Sequence, residues 1–95
     1  MRQAIQTQDA PQAIGPYSQA VKAGDLLFVS GQIPLDPSTG EMVKGDIKAQ
    51  TEQVMKNIAS ILAAANVSFD HVVRTTIFLA DLNDFAVVNK IYGNY

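Results

Sequence analysis

Apolar and polar positions fall into distinct patterns along this chain of 95 residues, and each pattern predicts an element. DAPQAIGP, residues 9 to 16, has prolines at 11 and 16 with a glycine between them, and predicts an irregular loop. YSQAVKAGDLLFVSG, residues 17 to 31, predicts a hairpin. Two extended runs flank Ala23, Gly24 and Asp25, and Gly-Asp is a favoured two-residue turn. PLDPSTGE, residues 34 to 41, is dense in turn formers and predicts a surface loop. DIKAQTEQVMKNIASILAAA, residues 46 to 65, predicts a helix. Ile47, Val54, Ile58, Ile61, Leu62 and Ala65 recur at helical spacing, whereas Lys48, Gln53, Lys56 and Asn57 read as lying off that stripe. Asp46 is a candidate N-cap and Asn66 a left-handed stop.

HVVRTTIFLA, residues 71 to 80, is rich in β-branched and aromatic residues and predicts a strand. Val73, Thr75, Ile77 and Leu79 share one face; Val72, Arg74, Thr76, Phe78 and Ala80 share the other. Both faces are largely apolar, which a sheet with one face in water does not need. The second face is therefore expected to be covered, most simply by another subunit. DLNDFAVVNKIYGNY predicts a second helix, capped by Asp81 or Asn83, with Phe85, Val88, Tyr92 and Tyr95 at helical spacing. The predicted order, β-β-α-β-α, is an α+β pattern with two helices packed on one face of a sheet.

Composition narrows the function classes. The chain is one small domain, 47% hydrophobic and 17% charged, which fits a globular fold. A domain this size buries little of its surface, so oligomerisation is expected. The net charge is −2 and no cluster of Lys or Arg occurs, which argues against nucleic acid as a partner. There is no cysteine, hence no disulfide frame or thiol chemistry. Neither a signal-peptide core nor a membrane-length apolar run is visible, so a soluble cytoplasmic protein is expected.

Candidate chemistry is sparse. His71 is the single histidine, beside Asp70 at a strand start, and reads as structural. No phosphate loop and no nucleophile elbow occur. The carboxylates are scattered through turns and caps and make no acid/base pair or metal cluster. Tyr17, Ser30, Gly31 and Asn89 remain. Each has a plain reading: a core tyrosine, a strand-end hydroxyl, a backbone glycine and an exposed helix position. Yet a strand that runs from Leu26 to Val29 and stops in Ser-Gly-Gln is also a place where a small ligand can meet backbone.

APQAIGPYSQAV, FVSGQIPLDPSTGE and TTIFLADLNDFAVVN, with the helix between them, resemble the RidA (YjgF) family of reactive-intermediate deaminases over essentially the whole chain. The resemblance implies a chorismate-mutase-like α+β subunit of the small trimeric type, a homotrimer with ligand clefts between subunits, and no cofactor. It implies hydrolysis of 2-iminobutanoate, 2-iminopropanoate and similar imines or enamines to 2-oxo acids and ammonia. By position, Tyr17, Ser30 and Gly31 match the family's cleft residues at the strand end, and Phe85 and Asn89 match those of the second helix. The family chain continues through two more strands that carry a carboxylate-binding arginine and a water-positioning glutamate. This chain ends at Tyr95, before both, and its two arginines, Arg2 and Arg74, match neither. Residues 1–95 are thus expected to form a single domain lacking the last two family strands, with no catalytic residue of its own and with a sheet edge exposed. Alternatives of other classes are a regulatory trimer that binds a small metabolite without turnover, and a translation inhibitor or chaperone-like protein.

Overall fold

The computed structural model describes residues 2–95. Three short antiparallel strands, β1 (Arg2–Ile5), β2 (Ala20–Ala23) and β3 (Leu26–Val29), form a sheet in the order β1-β2-β3. The β2–β3 hairpin turns where expected, on Gly24-Asp25. Gly24 has φ +60°, in the region that favours glycine, and this lets so short a loop follow the twist of its strands. β1 was not expected: its sequence, RQAI, is too short to carry a period. It forms because Arg2 to Ile5 pair along the free edge of β2, Ile5 opposite Ala20.

One face of the sheet is buried. Ile5 and Ala20 join Ala10 and Ile61 in a fully packed cluster, with Leu27, Val29 and Ala65 against it. Ile61 and Ala65 belong to the long helix and its cap, so α1 (Ile47–Ala64) lies across this face. Alternate residues of β3 point the other way, and Leu26 and Phe28 are exposed. α2 (Phe85–Tyr92) packs against α1, burying Val88 and Ile91. The Tyr95 hydroxyl donates to the Glu52 carboxylate at 2.6 Å, and the Tyr95 ring meets Phe69 edge-on.

The ends of α1 are built as the sequence predicts. The Asp46 carboxylate accepts from the Ala49 amide at 3.0 Å. At the other end Asn66 adopts φ 62°, and the amides of Asn66 and Val67 donate to the carbonyls of Ala63 and Leu62. That pair of bonds is a Schellman closure. The expected loop over 34–41 is ordered as a small hairpin of its own: Leu35 bridges Met42, and the Asp36 side chain accepts from both the amide and the hydroxyl of Ser38.

Two expectations are corrected. Residues 72–79 carry no regular structure, so the order is β-β-β-α-α, with short 3-10 turns at Phe69–His71 and Leu82–Asp84. Among the described residues, 73–80 make no backbone–backbone hydrogen bond, and Val73 and Phe78 are 95% and 92% exposed. Strand propensity expresses fit to a paired, half-buried surface, and no neighbouring strand supplies that surface here. Asn57, read as off the apolar stripe, is 1% exposed, because it serves carbonyls of the neighbouring loop.

Candidate functional site

Beyond β3 the chain leaves the sheet through Ser30 and Gly31. The Ser30 amide donates to the Gln19 carbonyl at 3.0 Å, which extends the β2–β3 pairing by one step. The Ser30 hydroxyl donates to the Ser18 carbonyl at 2.6 Å. These two bonds hold residues 17–19 beside 30–31. A pocket of about 270 Å³ opens there, with Tyr17 and Gly31 in its lining. One wall is the loop of Pro11, Gln12 and Ile14; the other is Gln32, Ile33 and Leu35.

Neither wall is helix or strand, yet each is tied down by a buried carboxamide. Gln19 is 3% exposed. Its side-chain oxygen accepts from the Thr7 amide at 2.7 Å, and its nitrogen faces the carbonyls of Thr7, Ala10 and Pro11 at 3.0, 3.2 and 2.7 Å. Asn57, on α1, donates to the carbonyls of Ile33 and Leu35 at 3.3 and 2.9 Å, and Gln53 donates to its oxygen at 2.9 Å. Buried amides with partners on both ends act as fixed struts, since losing either partner strands a desolvated polar group.

The lining offers hydrogen bonding and apolar contact: a tyrosine hydroxyl, the amides of Gln12, Gln19 and Gln32, and the side chains of Ile14 and Ile33. It carries no carboxylate, imidazole or amine. No group of metal-ligating side chains occurs among the described residues. The resolved pKa shifts lie elsewhere: Asp36 is held below the usual carboxylate range by its bonds from Ser38, and Tyr95 is raised by Glu52. Gly31 is notable for what does not require it. Its φ is outside the left-handed region, and a Cβ added there meets no atom within 4 Å.

The structure therefore brings Tyr17 and Gly31 together, with Ser30 just behind them. It does not bring Phe85 and Asn89 to them. Those two are exposed one turn apart on α2, on a stripe beside buried Val88, and neither lines the pocket. His71 closes a local turn, its Nδ1 accepting from the Ser68 amide at 3.2 Å, in keeping with its structural reading. Sequence reasoning missed Gln19 and Asn57. The signal for Asn57 was present, since it stands three residues after Val54 and four before Ile61.

Residues 7–95 match the family described as endoribonuclease L-PSP. A RutC family protein of Pyrococcus horikoshii is 57% identical over all of this chain and 75% of its own length. The mouse 2-iminobutanoate/2-iminopropanoate deaminase is 50% identical over all of this chain and 70% of its own. Among solved structures, a protein of the conserved Rid family from Yersinia pestis superposes with a TM-score of 0.98 at 47% identity. That alignment covers all of this chain and 75% of the other.

Proposed function

The chain belongs to the endoribonuclease L-PSP family, that of the RidA (YjgF) proteins, with their chorismate-mutase-like α+β fold, and from that premise we propose that it is the core of a RidA-type imine deaminase. The observation that carries the reading is the pocket at the end of β3. Gly31 is free of steric or backbone demands from its own chain, in a lining with a tyrosine hydroxyl and three side-chain amides. A small 2-imino acid fits such a place. Water adds to the C=N carbon, the resulting carbinolamine expels ammonia, and a 2-oxo acid remains. The imine carbon is already electrophilic, so the protein has to hold the substrate, place one water and relay protons; no metal or organic cofactor is invoked. Tyr17 orients the substrate at the strand end, and Ser30, its hydroxyl bonded to the Ser18 carbonyl, holds that end in place behind it.

The active form is a homotrimer in the cytoplasm, with the cleft completed by Phe85 and Asn89 of a neighbouring copy. This fits the exposure of both residues and of the apolar open face of the sheet. No helix among the described residues is long and apolar enough to cross a membrane. The lining has no carboxylate-binding cation, so the anchor for the substrate's carboxylate lies outside these nine lining residues.

The test is ammonia and 2-oxobutanoate release from 2-iminobutanoate, generated in situ by a threonine dehydratase, with and without the protein. Acceleration is expected; its absence in a folded, assembled sample sinks the deaminase reading. One observation favours a second reading, a metabolite-binding module without turnover: the pocket holds no strong acid or base. Saturable binding of 2-oxobutanoate without imine turnover would select it. Cleavage of RNA is the least favoured, because a net charge of −2 offers phosphate little attraction.

A further inference from the structure

We propose that Asn57 is a positioning residue for the ligand pocket, setting through Ile33 and Leu35 the spacing of a wall that it does not itself form. The proposal rests on the reading of this pocket as the ligand site.

The loop over 31–35 has little of its own to hold it. Gly31 and Ile33 are exposed, and the loop's local bonds are the Leu35 amide to the Ile33 carbonyl at 2.7 Å, the Val43 amide to the Pro34 carbonyl at 2.8 Å and the Gln32 side chain to the Ser30 carbonyl at 3.3 Å. What connects it to the body of the protein is α1. The Asn57 amide nitrogen spends both hydrogens on this loop, one each on the carbonyls of Ile33 and Leu35, across 24 and 22 residues of chain. A rotation of that amide would turn an oxygen toward two carbonyl oxygens, so its orientation decides whether the wall is held or repelled. Gln53, one turn earlier on the helix, fixes the orientation by donating to the Asn57 oxygen at 2.9 Å. The strut thus runs from Gln53 through Asn57 to Ile33 and Leu35, both of which line the pocket. The facing wall is fixed independently by Gln19 through Ala10 and Pro11. Two walls hang from separate buried amides; Gln19 lines the pocket itself, whereas Asn57 lies behind its wall, so the pocket's width depends in part on a side chain outside the lining.

The experiment compares the wild-type chain with Asn57→Asp and Gln53→Leu. The first keeps the shape and removes the donor; the second is milder, leaves Asn57 in place and removes only what orients it. The readouts are the Kd for 2-oxobutanoate, from amide shifts at Tyr17 and Gly31, and hydrogen exchange at the Leu35 and Val43 amides, both taken well below each variant's melting temperature. A positioning role weakens binding about tenfold in Asn57→Asp and less in Gln53→Leu, with faster exchange confined to this loop. A merely structural role lowers the melting temperature and leaves the Kd of the folded protein unchanged, and that result overturns the proposal. If Asn57→Asp does not fold, an unchanged Kd in Gln53→Leu together with unchanged loop exchange overturns it equally. A wild-type chain that shows no shift with 2-oxobutanoate removes the ligand reading of the pocket, and this inference with it, which is a different failure from variants that bind as well as wild type.

Discussion

Residues 7–19 with 31–43, and residues 72–80, invert what their compositions suggest. The first pair of segments is rich in Pro, Gly, Gln and Ser and includes almost no regular structure, yet its backbone is tied by Gln19, Asn57, Ser30 and Asp36. The second has the strongest strand composition in the chain and, among the described residues, no backbone partner beyond the Val72 amide on the Phe69 carbonyl; its one side-chain tie there is Thr75 to the Tyr92 hydroxyl at 2.6 Å. Order in this molecule follows satisfied backbone groups rather than propensity. A buried amide can supply those partners for a loop; a strand can get them only from another strand.

The sharpest way to break this comparison is Gln19→Leu. Leucine fills a similar volume but leaves the Thr7 amide and the carbonyls of Ala10 and Pro11 without their partner. We expect a loss of about 2–4 kcal/mol in urea unfolding, the sum of several unmade bonds. A loss below about 1 kcal/mol would mean that water replaces the amide and that the loop is not hung from it.

How much of this was legible beforehand follows the same division. The Gly24-Asp25 turn, both ends of α1 and the loop over 34–41 were readable, because each is fixed by residues adjacent in sequence. Tyr17 and Gly31 were placed at one site by resemblance, and the pocket does join them. β1 was not readable, since four residues, two polar and two apolar, become a strand only by meeting β2. Asn57 was misjudged because its type was weighed and its spacing was not. Residues 71–80 were misjudged for the opposite reason: their spacing and type were right for a strand, but pairing is not a local property.

Helix capping gives a second, smaller effect within the well-tied part. Asp46→Ala removes the acceptor for the Ala49 amide and is expected to cost about 1 kcal/mol, with Asp46→Asn restoring most of it. Equal stability of the alanine variant and wild type would show the first turn of α1 frayed in solution.

For the other region the expected effect on an isolated chain is smaller still. Phe78→Ser and Val73→Ser change side chains that are almost wholly exposed, so unfolding free energy should move by less than about 0.5 kcal/mol. If instead these variants cost more than that, or shift a sedimenting trimer toward monomer, residues 72–80 are covered in the assembled protein. The same measurement thus tests whether the missing partner of this segment comes with assembly.

The smallest expected effect concerns the far end of the chain. The Tyr95 hydroxyl donates to Glu52, and ionising it would set a phenolate against a carboxylate, which raises its pKa above the ordinary tyrosine value. A raised folded-state value means that the pair's stabilisation is present below the pKa of the unfolded tyrosine. It fades as pH rises through the higher folded one. Tyr95 is largely exposed, so the effect belongs to an ultraviolet titration rather than to a melting curve. The tyrosinate absorbance of wild type should include a late-ionising step, and Glu52→Gln should move that step to lower pH while leaving the fold intact. Coincident titration curves would mean that the end of α2 is not tied to α1 in solution. The segment from 72 to 95 would then be anchored only by the burial of Val88 and Ile91, and the contrast between the two regions would be wider than the hydrogen bonds suggest.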